Sequence, residues 1–341
     1  MSRILVTGGA GYIGSHTAKA LARAGHEPVV YDNLSTGHAW AVQWGPLVIG
    51  DLCDRDLLAK TMVDFQVESV IHFAASAYVG ESVLQPRLYY RNNICNTMNL
   101  LEVMLETGVN DIVFSSSCAT YGEPRSIPIA EHHPQEPLSP YGESKHFVEL
   151  MLRSYERAYN LKWVSLRYFN AAGADPDGEI GEVHDPETHL IPLAFQAASG
   201  QLDALEIFGT DYANPDGTAI RDYIHVSDLA AAHVTAADYL RTGNESVAIN
   251  LGNGAGYSVR EVVASFEEIT CLSVPVVQAP RRPGDAPALV ANADRARSVL
   301  GWTPSYPDLG DIVSSAWKWF SMSSATPGAV PSPVAEFLSS T

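Results

Sequence analysis

Tyr141 and Lys145 stand four residues apart, the spacing that places two side chains on one face of a helix. A phenol with an ordinary pKa of about 10 is a poor base at neutral pH, and a neighbouring ammonium favours its ionised form. Ser117 closes the run Ser115-Ser116-Ser117 at the end of an apolar strand-like segment, where parallel sheets present ligand-binding groups. Serine, tyrosine and lysine together can hold an alcohol, remove its proton and orient it beside a nicotinamide. The competing reading is that these serines only cap and turn the chain.

Such chemistry needs a nucleotide site, and the N-terminus has the residues for one. Gly8, Gly11 and Gly14 follow an apolar run and open a helix-like segment, Tyr12 and Ile13 lying between them. Glycines there permit a tight turn, close approach of a pyrophosphate to backbone N–H groups, and close helix–strand packing. Asp32 ends the second apolar run, where a carboxylate accepts from both hydroxyls of an adenosine ribose and repels a 2′-phosphate; this favours NAD over NADP. Asp51, after the third run, is placed to face the adenine.

These residues require a scaffold that alternates strands and helices. Strands are expected at 4–7, 28–31, 47–49, 69–73, 112–115 and 163–166, separated by helix-length segments. Apolar residues at three- and four-residue steps mark helices in 84–107 and after Tyr141. Strand–helix alternation implies right-handed βαβ units, so the expected fold is α/β, a doubly wound parallel sheet of the Rossmann type with a smaller mixed α/β C-terminal part. Residues 222–240 read as strand then helix, with Ser227 or Asp228 as N-cap, and return the chain to the first sheet. The boundaries expected are 1–170 with 218–250 for the nucleotide domain, 171–217 with 251–322 for the substrate domain, and 323–341 as a loose tail.

Composition narrows the partners. The 341 residues carry 21 Lys+Arg against 39 Asp+Glu, a net charge of −18. That balance argues against a non-specific nucleic-acid or anionic-membrane binder. Cys53, Cys95, Cys118 and Cys271 show no metal-ligand or redox spacing and read as reduced thiols. With no secretory signal and no membrane span, a cytoplasmic protein is expected. His132-His133 sit in a proline-rich segment and read as surface loop residues, His72 as a satisfied core histidine, and no metal is expected.

The order of motifs adds a family resemblance. Thr7 to His16, Val79-Gly80-Glu81-Ser82, Ser115 to Gly122, Tyr141 to Lys145, Arg167-Tyr168-Phe169-Asn170 and Arg221 to His225 closely resemble UDP-glucose 4-epimerases of the extended short-chain dehydrogenase/reductase superfamily, to about residue 320. The resemblance implies a tightly held NAD and a C4 epimerisation of UDP-glucose and UDP-galactose through a 4-keto sugar. Tyr141 would take the 4-hydroxyl proton, Ser117 would bond the same oxygen, and Lys145 would tune Tyr141 and grip the nicotinamide ribose. By the same resemblance Tyr12, Ile13, Asp32, Asn33, Asp51, Leu52, Phe73, Ala74, Asn92 and Phe169 line the cofactor, with Tyr168 near the nicotinamide. Asn170, Leu190, Phe208, Arg221, Arg282 and Asp285 hold the UDP, and a homodimer forms through helices around 84–107 and 141–159.

Three positions depart from the family pattern. Ala77 replaces a lysine near the cofactor, His189 replaces an asparagine on the substrate diphosphate, and Leu289 occupies the position that sets sugar size. UDP-xylose/UDP-arabinose and UDP-N-acetylglucosamine 4-epimerases are therefore alternative readings. A dehydratase or decarboxylase would need an acid or base where this chain has Cys118 and Ala119. An NAD-binding sensor module would have no use for the intact Ser117, Tyr141 and Lys145.

Overall fold

A computed structural model describes residues 1–282 and 285–325. The strands are β1 (Arg3–Thr7), β2 (Glu27–Asp32), β3 (Leu47–Ile49), β4 (Ser69–His72), β5 (Asp111–Ser117), β6 (Lys162–Tyr168), β7 (Asn170–Ala172), β8 (Leu205–Phe208), β9 (Ile220–Arg221), β10 (Tyr223–His225), β11 (Val247–Leu251), β12 (Tyr257–Ser258), β13 (Val276–Ala279) and β14 (Ala288–Leu289). The helices are α1 (Tyr12–Arg23), α2 (Arg55–Asp64), α3 (Val79–Leu84), α4 (Pro86–Tyr89), α5 (Asn96–Thr107), α6 (Pro140–Tyr159), α7 (Leu190–Ala198), α8 (Val226–Arg241), α9 (Val259–Thr270) and α10 (Leu309–Ala325).

Seven strands form one parallel sheet in the order β3-β2-β1-β4-β5-β6-β11. This is the Rossmann-type arrangement. Strand alternation divides its core. Ile4, Val6, Ile71, Val113 and Val164 pack with Leu21 of α1 and with Leu229, Ala232 and Ala236 of α8. Leu5, Val29, Val70, Ile112 and Phe114 face the opposite way, against Leu58, Leu101, Met104, Val148 and Leu152 of α2, α5 and α6. Because the chain leaves β1 toward β2 and comes back on its other side as β4, the connections diverge and open a crevice at the carboxyl ends of these two strands.

The helices begin where the sequence supplies acceptors. Asp54 and Ser139 cap α2 and α6, and Ser258 with Glu261 forms a capping box on α9. Two local expectations change. The 84–107 stretch is interrupted, because Pro86 biases Gln85 out of the helical region, to φ −131° and ψ 57°; α3 stops, and a wide π-type turn over Tyr90–Cys95 leads into α5. The N-cap of α8 is His225, whose Nδ1 accepts from the Ser227 N–H at 3.1 Å. Asp228 is engaged elsewhere, accepting from the backbone of Ser305 and Tyr306.

A second core lies beyond β6. Ile191, Ala194 and Phe195 of α7, Val262 and Phe266 of α9, and Ile312, Val313 and Ala316 of α10 pack around Ala172, Leu205 and Tyr223. Small sheets β12-β9-β14, β13-β8 and β10-β7 border it. Residues 323–325 belong to α10, and the remainder of the expected tail lies outside the described residues. His72 is buried between Thr7 and Thr97, with ring nitrogens 2.7 and 2.8 Å from their hydroxyls. His133, expected on the surface, is buried: its Nε2 accepts from the Arg125 N–H at 2.9 Å and fixes the proline-rich loop.

Candidate active site

The crevice floor is the turn from β1 into α1. Gly8 has φ +72°, and a Cβ there would fall 2.6 Å from the Ala74 nitrogen; a Cβ on Gly14 would fall 2.2 Å from the Gly8 carbonyl oxygen. Both positions demand glycine because backbone meets backbone. Gly11 is the N-cap of α1 and contributes no side chain, so the first N–H groups of the helix lack a side-chain cap. Asp32 stabilises this turn, its carboxylate accepting from Ala10 N–H at 2.9 Å and Leu34 N–H at 2.8 Å. Burial raises its pKa, partly offset by those two bonds. Asn33 donates to Asp51 at 2.7 Å. Burial opposes charge on Asp51, but bonds from Cys53 and Asn33 outweigh it and hold its carboxyl below the usual range.

The walls follow from the neighbouring strands. Phe73 and Ala74 both donate their N–H groups to the Thr7 carbonyl, fixing the end of β4 against β1. Leu52 is buried in the core behind Asp51. Asn92 donates to Ser76 at 3.0 Å. Tyr12 donates to the Gly173 carbonyl at 2.6 Å, closing the far side, while Ile13 packs into the core beneath the sheet. A glycine turn, an open helix N-terminus and a carboxylate at the end of β2 together fit a dinucleotide such as NAD.

Ser117, Tyr141, Lys145 and Tyr168 converge beside this floor. Ser117 and Tyr168 are register neighbours on β5 and β6, and the Tyr168 hydroxyl hydrogen-bonds Ser115. Burial pushes Tyr141 up to about 12, against the lowering effect of its hydrogen bond with Ser117. Lys145 Nζ donates to the Ser115 carbonyl at 2.8 Å and lies 5.8 Å from the centre of the Tyr141 ring. Burial lowers its pKa to about 7. The expectation that this ammonium brings the phenol toward neutral pH is therefore corrected for the protein alone: desolvation of both groups dominates.

A second group lies across the cleft. Arg282 donates to Asp285 at 2.9 Å and stacks 4.8 Å above Phe208; Arg221 meets Asp285 at 3.4 Å. Arg221 pairs with Leu289 across β9 and β14. Leu289 in turn packs on Phe169 and Cys118, next to Ser117. Asn170 pairs with Tyr223 across β7 and β10. Burial raises Cys118 to about 12, which favours its thiol form. His189, the N-cap of α7 before Leu190, is not bonded to these arginines among the described residues.

A family model described as the NAD dependent epimerase/dehydratase family matches residues 4–252. The chain belongs to that family. It is 51% identical over 320 residues to the UDP-glucose 4-epimerase of Rhizobium leguminosarum bv. trifolii, covering 94% of this chain and 98% of the relative. It is 52% identical over 320 residues to that of Rhizobium meliloti (strain 1021), covering 94% and 97%. A crystal structure of UDP-glucose 4-epimerase from Brucella ovis in complex with NAD superposes with a TM-score of 0.91 at 54% identity, over 94% of this chain and 98% of that one. A UDP-glucose-4-epimerase from Stenotrophomonas maltophila, with bound NAD and formylated UDP-arabinopyranose, gives 0.92 at 40% identity, over 96% and 100%.

The epimerase-family fold also gathers a cluster that sequence reading missed, with His189, expected on the substrate diphosphate, as one of its members. Glu182, His184, Glu187 and His189 meet in the segment before α7, with carboxylate and ring atoms all within 4.8 Å of one another. Their Glu-x-His-x-x-Glu-x-His spacing was the available signal, in a loop where helical periodicity offers no guide. Burial opposes charge on both histidines, but the two carboxylates outweigh it and raise His184 to about 9 and His189 to about 10.

Proposed function

We infer that this protein interconverts UDP-glucose and UDP-galactose by epimerisation at C4, through a 4-keto intermediate and with NAD as cofactor. The observation that carries the reading is the convergence of Ser117, Tyr141 and Lys145 beside a glycine-rich turn, in a chain about half identical to UDP-glucose 4-epimerases over nearly its full length. Gly8, Gly11, Tyr12, Ile13, Gly14, Asp32, Asn33, Asp51, Leu52, Phe73, Ala74, Asn92, Tyr168 and Phe169 would hold the cofactor. When bound, it supplies reversible hydride acceptance at C4.

The protein's own residues do the remaining work. Tyr141 accepts the 4-hydroxyl proton as hydride leaves and returns it when hydride comes back to the opposite face. Ser117 bonds the same oxygen in both directions and keeps it within reach. A phenol held near 12 needs positive charge beside it to ionise at neutral pH, and Lys145, 5.8 Å from the ring centre, would supply it when protonated. Arg221 and Arg282 are guanidinium forks suited to a diphosphate, and Asp285 accepts from the uridine ribose. Asn170, His189, Leu190 and Phe208 complete the nucleotide end. Holding the UDP alone leaves the flat keto sugar free to turn. Leu289 borders the sugar.

We assign residues 1–170 with 218–250 to NAD and mainly 171–217 with 251–322 to UDP, with Asn170 and Arg221 reaching the UDP from the first group and Ala296, Leu300 and Trp302 packing into the first core. A homodimer through α3 to α6 is supported by Leu84, Leu88, Met98, Phe147 and Leu150, which are exposed on those helices and the segments joining them. Among the described residues no helix is long and apolar enough to cross a membrane, which is compatible with a cytoplasmic site of action. Proton NMR of UDP-galactose with purified protein tests the reading: UDP-glucose signals should grow to equilibrium, and unchanged spectra from NAD-loaded protein would reject it.

A further inference from the structure

The cluster before α7 presents four donors of two chemical kinds. His189 Nδ1 lies 2.9 Å from Glu182 Oε1 and 3.0 Å from Glu187 Oε1; His184 Nδ1 lies 3.3 Å from Glu182 Oε1 and 3.5 Å from Glu187 Oε2. Of these four contacts only the one from His189 to Glu187 has hydrogen-bond alignment. Glu182 Oε1 and His184 Nδ1 are enclosed and have no hydrogen-bond partner, although the Glu182 side chain is only 5% exposed. These two atoms are held by ion-pair contacts without hydrogen-bond alignment, so part of their desolvation cost stands and a shared ligand would remove it.

A cation at the centre fits the spacing. Zinc binds imidazole nitrogen and carboxylate oxygen at about 2.0–2.2 Å, so donors around a tetrahedral ion stand ~3.3–3.6 Å apart. With one oxygen from each carboxylate, three nitrogen–oxygen separations here span 2.9 to 3.3 Å before any ion draws the groups into place, and the second oxygen of Glu187 lies 3.5 Å from His184. On binding, the ion would displace the ring protons of His184 and His189 to solvent; two neutral imidazoles and two carboxylates then balance a divalent charge, and the nitrogen–oxygen set suits zinc better than calcium or magnesium. The outer layer is also built. Glu187 Oε1 accepts from the backbone N–H groups of Thr188 and His189, which orients its carboxylate.

We propose that Glu182, His184, Glu187 and His189 form a structural site for one divalent transition-metal ion of the zinc class. Four protein donors close the coordination sphere, as structural rather than catalytic sites require. The site would pin a segment that touches several parts of the molecule. Trp319 of α10 bonds the Glu182 carbonyl, His38 bonds the Val183 carbonyl, and the rings of Tyr12 and Tyr78 lie edge-on to His184. Metal binding would thus fix the wall beside Tyr12 and the start of α7.

The test uses the full, tag-free chain and reads metal rather than turnover, so it is separate from the reaction proposed above. After equilibration with Zn2+ and gel filtration, one zinc per chain is expected by elemental analysis. Co2+ in its place should give the intense visible absorption of a four-coordinate ion. Both signals should disappear in His184→Ala and in Glu182→Gln; the latter preserves side-chain shape and keeps the test valid if the former misfolds. No retained zinc in the parent chain, a weak six-coordinate Co2+ spectrum, or signals that persist in a folded Glu182→Gln variant would each overturn the proposal.

Discussion

Lys145 donates its ammonium to the carbonyl of Ser115, 2.8 Å away, and so ties the reactive face of α6 to the strand that ends in Ser117. The bond fixes where the lysine sits, while burial sets its charge: its pKa falls to about 7.

The sign of the resulting stability effect is defined. Unfolded, Lys145 titrates near 10.5; folded, near 7, so between these values the unfolded chain binds more protons. Stability of the nucleotide-free protein should rise with pH across that window. Tyr141 acts oppositely only from pH 10 to about 12, where its raised pKa withdraws stability. Urea midpoints measured from pH 7 to 10 should show a flatter rise for Lys145→Met than for the parent chain.

Tyr141→Phe removes the proposed proton acceptor and keeps the ring. Turnover of UDP-galactose should fall by about 10²–10⁴-fold, with UDP affinity by calorimetry little changed. Retained turnover would reassign the base.

On the proposed reading, Ser117→Ala deletes one hydrogen bond to the reacting oxygen. A bond to a charged group contributes ~1.5–3 kcal/mol, so kcat should drop by roughly 10- to 150-fold with KM nearly constant. A KM effect alone would show that Ser117 only binds.

Gly14→Ala places a methyl group where the Gly8 carbonyl already lies. The turn must open, and NAD should be lost on gel filtration, as judged by absorbance and by rescue with added NAD. Retention equal to the parent's would show that the turn tolerates the displacement.

Glu149 and Arg167 form a bidentate pair that is almost wholly enclosed, with Ser116 and Tyr121 as further partners. Burial opposes charge on Glu149, but the guanidinium outweighs it and keeps the carboxyl low. Glu149→Gln should destabilise the chain by ~3–5 kcal/mol in urea titrations, since it leaves a buried cation without its counterion. In the parent, the corresponding stability is present above the unfolded carboxyl range and is lost as pH falls through the lower folded value.

The sheet was legible because its strands are short apolar runs between helix-length segments, and the turn because glycine is the one residue that fits backbone contacts of the kind seen at Gly8 and Gly14. Side-chain competition was not. Asp228 reads as a cap for α8, yet its carboxylate is claimed by residues 305 and 306, more than seventy positions away. The Tyr141–Lys145 spacing correctly implied a shared helix face, whereas the burial that separates their titrations depends on what the fold stacks around them. The Glu182–His189 cluster escaped because its convergence is made by an irregular loop.

The pairing of Arg221 with Leu289 on one short ladder would couple the two ends of the proposed substrate site. On the proposed reading one residue would hold the nucleotide handle and its ladder neighbour would border the sugar, on strands only two residues long. A larger side chain at 289 that shifts β14 must also shift Arg221. Selection for a new sugar at this position should therefore carry a correlated change in affinity for UDP itself, and successful variants would be expected to acquire compensating changes on β9 or β12.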